Sequence, residues 1–303
     1  MHTGQSGIFA LGTGSHAYLE FDLKPGSEPL PTVRAIANLR APSITTGGVN
    51  IVVGFRPELW ASLAPDQIPP SVEGFNRPVQ GVEGFAMPAT QHDLWLWVAG
   101  HAYERVFDAS REALSVLESS ANLASEVHGW TYRDDRDLTG FIDGTENPSL
   151  TLAPEVALVP DGAPGAGGSV VLIQKWVHDV TAWEALPVRE QEKVIGRTKN
   201  DSTELVEEVR GPHSHVSRNV IVEHDEEQHI FRRNTPFGNP AVHGTMFIGF
   251  SADQHRLARM LNRMAGAEDG IRDALTSYTS AVTGAYYFVP SVQALRSFAV
   301  DKE

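Results

Sequence analysis

The stretch GFIDGTENP, residues 140–148, gathers residue types that could do chemistry. It sets the carboxyl group of Asp143 between Gly140 and Gly144 and ends in an Asn-Pro pair. Glycine can adopt a positive φ or let the backbone approach a flat ligand closely, and Asn-Pro is typical of a turn. The stretch is therefore either an acidic surface turn or a carboxylate that close backbone holds over a bound ligand. Taken alone it favours the turn, so the rest of the chain must decide.

A second candidate group is HSHVSRNV, residues 213–220, which begins a predicted strand. Side chains alternate along a strand, so His213 and His215 would share one face. Such histidines are most often hydrogen-bonded or exposed residues without a ligand. Two on one face could bind zinc, but the sequence offers no third ligand at a convincing spacing. A single neutral imidazole would suit the axial position of haem iron, and the spacing alone does not separate these hypotheses.

A third candidate group is FRRN, residues 231–234, on the next predicted strand. Alternation gives Arg232 and Asn234 one face and Arg233 the other. Charged residues on a half-buried strand are more often solvated or salt-bridged than catalytic. An arginine and an asparagine that point into one pocket would, however, suit the stabilisation of a developing oxygen anion.

Composition limits the partners of these groups. The chain has 303 residues, 41% of them hydrophobic, and a formal net charge of −14. This length allows two ordinary domains, and the acidity argues against nucleic acid and anionic membranes as partners. The sequence contains no cysteine, which excludes disulfides, iron–sulfur clusters, thiolate nucleophiles and cysteine-ligated zinc. Its first residues do not resemble a secretion signal, and it has no long apolar run, so we expect a cytoplasmic protein.

Hydrophobic periodicity predicts the elements that must position the candidate groups. The pattern β-α-β-β-α-β occurs twice and is typical of ferredoxin-like folds. We therefore predict an α+β protein with a duplicated ferredoxin-like fold, two antiparallel sheets and peripheral helices. The N-terminal domain spans 1–138 and the C-terminal domain 139–303. The predicted strands are 17–23, 50–55, 93–100, 126–134, 169–179, 215–224, 229–238, 244–250 and 285–291; the main helices are 31–39, 101–119, 188–199 and one from Gln254.

The motifs together resemble the dye-decolourising-type haem peroxidases, in particular their cytoplasmic bacterial branch without a signal peptide. The order GxxDG, histidine, Arg-x-Asn carries the resemblance, with support from EKVIGRTKND (192–201), GTMFIGFSAD (244–253), QSGIF and DLWLWVAG. It implies haem b as cofactor, held mainly by the C-terminal half. The implied activity is reduction of H2O2 through a ferryl intermediate, with oxidation of small organic reductants such as dyes, phenolics and porphyrinogens.

The resemblance also assigns roles to the three candidate groups. His215 is implied as the proximal ligand of the haem iron, and His213 matches the motif less well. Asp143 would take and return a proton of peroxide, and Arg232 would stabilise the negative charge that develops. Asn234 would be the polar neighbour that holds pocket water.

Further residues are implied around the haem. Gly144, Thr145 and Glu146 would contact it, and Phe247 would wall the distal pocket unless it only packs in the core. Arg218 would pair with a propionate, although an ordinary surface ion pair explains it equally well. We predict that Asp253 accepts the other N–H of His215; capping of a helix explains the same residue.

Two other functions stay open from the sequence: a haem carrier, storage or iron-release protein, and a cofactor-free domain. The resemblance also implies a homo-oligomer. The short C-terminal ALRSFAVDKE predicts that the protein is not packaged in a nanocompartment. A carboxylate base with an ordinary pKa near ~4 predicts activity that extends into mildly acidic pH.

Overall fold

The computed structural model describes residues 2–39, 48–223 and 225–299. Its first half is dominated by four long strands and an amphipathic helix. The elements are β1 (Ser15–Leu23), α1 (Pro29–Ala37), β2 (Val49–Phe55), α2 (Pro57–Leu63), β3 (Val79–Gln80), β4 (Ala86–Met87), β5 (Leu94–Gly100), α3 (Tyr103–Leu117) and β6 (Ala121–Trp130).

The second half has shorter elements around two long strands. They are α4 (Ala153–Ala157), β7 (Ser169–His178), α5 (Val180–Glu184), α6 (Val188–Ile195), α7 (Glu207–Arg210), α8 (His215–Asn219), β8 (Val222–Glu223), β9 (Glu226–Glu227), β10 (Phe231–Arg232), β11 (Thr235–Gly238), β12 (His243–Ser251), α9 (Gln254–Met264), β13 (Thr279–Ala281), β14 (Ala285–Val289) and α10 (Val292–Arg296). Within the described ranges, no helix is long and apolar enough to cross a bilayer.

Two antiparallel sheets form the body of the molecule. The first has the order β6-β1-β5-β2, and the second has the order β11-β12-β7-β14, with β10 added to β12 and β13 to β7. The sheets meet at both edges, where Phe237 pairs with Gly129 and Phe288 pairs with Phe55. The predicted α+β fold, a duplicated ferredoxin-like arrangement, is confirmed.

The core has two layers because each sheet buries both faces. One face of each sheet packs under helices, and Leu96 of β5 and Val106 of α3 belong to the buried cluster on that side. The other faces meet in a cluster rich in aromatic residues, where the rings of Trp97 and Phe250 lie 6.1 Å apart. Strand β5 is buried along its whole length, which explains its unbroken apolar sequence LWLWVAG.

The predicted strand 215–224 is wrong over most of its length. Residues 215–219 form helix α8 instead, because the side chain of Ser214 caps it by accepting from the backbone N–H of Ser217 at 3.3 Å. Among its described residues, 215–223, the strand is limited to Val222–Glu223, and residue 224 lies outside the described residues. The predicted helix 188–199 ends at Ile195, since Gly196 follows with a φ of +96°.

Candidate active site

A large cavity lies in the second half of the chain, against β7 and β12. It holds about 1080 Å³ of space that no atom fills, its open mouth included, and all of its lining residues fall between 137 and 279. Most of the residues predicted for the site line it: Asp143, Gly144, Thr145, Glu146, His215, Arg232, Asn234 and Phe247.

The GFIDGTENP loop reaches this cavity through two turns. Gly140 and Gly144 have φ angles of +88° and +77°, a region that residues with a Cβ avoid. The side chain of Asn147 then ties the loop to β10: its amide donates to the carbonyl of Arg232 at 2.9 Å and accepts from the N–H of Arg232 at 2.8 Å. This double contact brings Asp143 and Arg232 to the same part of the wall.

Asp143 is held by donors that favour a negative charge. Its Oδ1 accepts from the backbone N–H of Gly144 at 2.7 Å and from Nδ2 of Asn234 at 3.3 Å. The Oδ1 of Asn234 accepts in turn from the N–H of Ile248 at 3.2 Å, which fixes the orientation of the amide. Arg232 lines the same cavity, whereas Arg233 points away and donates to the carbonyl of Ile8 at 2.7 Å. The predicted alternation of this segment therefore agrees with the structure.

A second opening, which we call the side cleft, reaches the same residues from the surface. By the same measure it holds about 1280 Å³, and its border includes Asp143, Gly144, Arg232 and Asn234 as well as Trp130. His215 is not among its lining residues. Asp143 and Arg232 therefore stand where the large cavity and the side cleft meet.

His215 enters the cavity from α8 and is held by a buried carboxylate. Its Nδ1 lies 2.7 Å from Oδ2 of Asp273, and the side chain of Asp273 is fully buried. Because a carboxylate can only accept, this contact assigns the ring proton to Nδ1 and leaves Nε2 with a lone pair. A neutral imidazole held in this way is a suitable metal ligand.

The predicted contact of His215 with Asp253 is wrong. Asp253 caps α9, where its Oδ1 accepts from the N–H of His255 at 2.9 Å, and it borders a different cleft. Asp273, which the sequence analysis missed, lies 58 residues beyond His215. No motif spacing signals a partner that far along the chain.

His213 does not share a face with His215. Its exposed ring contacts the carbonyl of Arg272 at 3.1 Å. Among the described residues, no group of three or more histidines and carboxylates could hold a metal ion. The structure therefore gives no support to the zinc hypothesis.

Arg218 is also placed elsewhere than predicted. Its side chain is only 3% exposed, lies outside the cavity lining and forms a two-pronged ion pair with Asp269 at 2.9 and 2.8 Å. The predicted propionate contact of Arg218 therefore does not fit the structure.

A second arginine on the cavity wall, Arg197, was missed by the sequence analysis. It pairs with Glu146 and with Glu204, the latter at 3.1 Å. Within the described part of the chain, no atom accepts from its buried Nε. Such an unpaired donor beside a cavity suits an anionic group of a ligand.

The donor set fits a haem. Apolar side chains form much of the lining, His215 offers a lone pair, and Arg197 offers a donor for a carboxylate. A flat apolar macrocycle with an axial nitrogen ligand and anionic edges needs these three features. The apolar lining residues include Phe141, Ile142, Phe247, Met260, Met264 and Leu275.

Comparison with known proteins agrees with this site. Residues 5–131 match the family Dyp-type peroxidase, N-terminal, and residues 134–294 match Dyp-type peroxidase, C-terminal. A dye-decolorizing peroxidase of Mycolicibacterium paratuberculosis is 40% identical over 213 residues, which cover 69% of this chain and 60% of that protein. Another, from Rhodococcus erythropolis, is 37% identical over 261 residues, which cover 83% of this chain and 75% of that protein.

A solved structure shows the same fold with haem bound. It is a variant of DypB from Rhodococcus jostii in complex with haem, with a TM-score of 0.88 and 34% sequence identity. The match covers 94% of this chain and 96% of that chain. These similarities do not favour the alternative of a haem carrier. The chain belongs to the Dyp-type peroxidase family and is a haem-dependent peroxidase.

Proposed function

We propose that the chain reduces hydrogen peroxide on the side of bound haem b that faces Asp143 and Arg232, and that it oxidises small organic reductants such as dyes and phenolics. This assignment of roles rests on one observation. Asp143, Arg232 and Asn234 border both the large cavity and the side cleft, so a small molecule entering by the cleft passes a carboxylate and a guanidinium.

His215 would hold the iron through Nε2, since its Nδ1 is occupied by Asp273. The buried carboxylate raises the basicity of the imidazole and fixes its orientation. Gly144, Thr145, Glu146 and Phe247 would lie against the macrocycle, and Arg197 would pair with a propionate. When bound, the haem supplies the iron that peroxide oxidises and that the organic reductant reduces again.

Asp143 would move the proton. Its carboxylate would accept the proton of one peroxide oxygen and return it to the other, which would then leave as water. The guanidinium of Arg232 stabilises the negative charge that develops on that leaving oxygen. Asn234 keeps the carboxylate in place through its 3.3 Å hydrogen bond to Oδ1.

The roles are tested with haem-loaded wild type, Asp143→Ala and Arg232→Leu, by following the absorption change of the haem after mixing with peroxide. We expect each substitution to lower the second-order rate constant by about 10²–10³-fold, the usual effect of removing an acid–base group or a charge donor. The control is Asp134→Asn, an exposed carboxylate before the loop, which should react like the wild type. Full haem content with unchanged rates in both variants would contradict the assignment.

The remaining features stay predictions of the sequence. They are the cytoplasmic location, the homo-oligomer without packaging in a nanocompartment, the lack of nucleic-acid or membrane partners, and the division into domains 1–138 and 139–303. Sedimentation of the purified protein and limited proteolysis would test the assembly and the domain boundary.

A further inference from the structure

A second carboxylate, Asp137, lies on the cavity wall near Asp143. Both belong to a short antiparallel ribbon, in which Arg136 pairs with Ile142 and the N–H of Asp143 donates to the carbonyl of Asp135 at 2.9 Å. In this register Asp137 and Asp143 are diagonal neighbours on one face, a relation that separates residues by about 7–8 Å. Two carboxylates therefore share one side of the ribbon and one cavity.

The two oxygens of Asp137 have different surroundings. Its Oδ1 accepts from the N–H of Thr139 at 2.9 Å, from the hydroxyl of Thr139, and from the N–H of Phe141 at 3.3 Å. Within the described ranges, no residue donates to its Oδ2. The side chain is half-buried and lines the cavity. Oδ1 thus shapes the turn, whereas Oδ2 is available to carry a proton.

The surroundings of the two carboxylates also differ. Burial, with a smaller contribution from the charge of Asp143, raises the pKa of Asp137 to about 6 against the opposing effect of the Thr139 hydrogen bond. The Oδ1 of Asp143 accepts from Gly144 and Asn234. Two neighbouring carboxyl groups with unequal surroundings titrate as a pair, and one of them keeps the proton.

We propose that Asp137 and Asp143 form a coupled carboxyl pair, in which Asp143 acts on peroxide and the protonation of Asp137 sets the charge beside it. This inference rests on the proposed function. Asp137 acts through Asp143 and is a positioning residue. When Asp137 also ionises, a second negative charge opposes the charge that develops on the leaving oxygen. The reaction with peroxide therefore slows as pH rises.

Other charged groups surround the ribbon. Lys199 places its Nζ over the ring of Phe141 and donates to Gln191, and Arg136 donates to the carbonyls of Gly140 and Lys199. Arg197, paired with Glu146, and His178 also line the cavity. Burial lowers the pKa of His178 to about 4, with a further lowering by His243, so its charge does not change where Asp137 titrates.

The first test compares the pH dependence of the peroxide reaction in haem-loaded wild type and Asp137→Asn. The amide oxygen of asparagine can still accept from Thr139 and Phe141, and its neutral side chain imitates protonated Asp137 at every pH. We expect the wild-type rate constant to fall as pH rises through about 6, as Asp137 ionises. At every pH, the variant should keep the rate constant that it has at acidic pH. If ionisation of Asp137 changes the activation barrier by the equivalent of one pKa unit, the variant should react about tenfold faster than the wild type at pH ~7.5.

The matched control is Asp134→Asn, which neutralises an exposed carboxylate on the same segment and should reproduce the wild-type profile. Two results would overturn the pair. One is an Asp137→Asn profile that superimposes on that of the wild type. The other is a rate lowered by the same factor at every pH, which would mean that Asp137 only shapes the turn.

A second measurement needs no turnover. Difference infrared spectra of the haem-loaded protein should show a protonated carboxyl band at pH ~5 that Asp137→Asn lacks. In Asp143→Asn this band should disappear at a lower pH than in the wild type, because the neighbouring charge is gone. If the protein reacts with peroxide but the pH at which the band disappears does not shift, the carboxyl pair is overturned and the proposed function stands. A protein that shows the shift but is inert to peroxide overturns the proposed function and leaves the carboxyl coupling in place.

Discussion

His215 and Asp273 are bound to each other although 58 residues separate them. The carboxylate is fully buried and orients the imidazole, so its removal should weaken the bond from His215 to iron. We predict that Asp273→Asn lowers the affinity for haem by about 10- to 100-fold, the usual cost of losing such a partner. Titration of the apoprotein with haem, followed by absorption, measures this change.

The matched control for this prediction is Asp269→Asn. Asp269 lies on the same segment, and its partner Arg218 is outside the cavity. This variant should keep the haem affinity of the wild type even if it unfolds more readily. An equal loss of affinity in both variants would mean that the segment, and not the contact with His215, determines haem binding.

Three residues of the GFIDGTENP and FRRN motifs lie where the sequence placed them, because these motifs fix their spacing and their backbone. Asp143, Arg232 and Asn234 all line the cavity as expected. Asp273 and Arg197 were missed, since a partner in a distant loop depends on the tertiary fold. Arg218 and Asp253 were misplaced for the same reason.

At the scale of elements, α8 shows how a local contact overrides a periodic pattern. The sequence HVSRNVIV alternates in a way that fits a strand, yet the hydroxyl of Ser214 caps a helical turn. The helix turns His215 toward the cavity and Arg218 toward Asp269. Side-chain alternation alone could not reveal the helix, because the same residues fit both a strand pattern and a helix pattern.

The attachment of the GFIDGTENP loop to β10 gives a prediction at this scale. Asn147 makes two hydrogen bonds to the backbone of Arg232. Within the described residues, no other side chain hydrogen-bonds to the same carbonyl and N–H groups. Asn147→Ala should therefore lower the free energy of unfolding by about 1–3 kcal/mol. It should also slow the peroxide reaction by at least about tenfold, because small displacements of a catalytic group are costly. Denaturant unfolding and stopped-flow absorption measure the two effects.

Ser149→Ala is the control for this loop. Among the residues that the structure describes, its hydroxyl hydrogen-bonds only to that of Thr151, on the exposed side of the same segment. This variant should match the wild type in both measurements. If Asn147→Ala loses stability but reacts at the wild-type rate, the contact holds the loop without positioning Asp143.

The whole molecule depends on contacts between its two sheets. The repeated pattern of elements predicted two sheets, but not that they meet at both edges through single pairs such as Phe237 with Gly129. Such pairings join distant parts of the chain, and each involves too few residues to leave a pattern in the sequence. Between the sheets lies a buried polar contact: the hydroxyl of Tyr287 on β14 donates to Glu20 on β1 at 2.7 Å.

This contact predicts how stability depends on pH. Burial raises the pKa of Glu20 above its ordinary value, against the opposing effect of the hydrogen bond from Tyr287. A carboxyl group whose pKa is raised by folding stabilises the protein at low pH, and this contribution is lost as pH rises through the pKa of the folded state.

Glu20→Gln keeps the acceptor for Tyr287 and removes the charge. Its free energy of unfolding should exceed that of the wild type by on the order of 1–3 kcal/mol at pH ~8, with little difference at pH ~4. Guanidinium unfolding at the two pH values measures this, with Glu112→Gln, the same change at an exposed position of α3, as control. Equal stability of Glu20→Gln and the wild type at pH ~8 would mean that folding does not raise the pKa of Glu20.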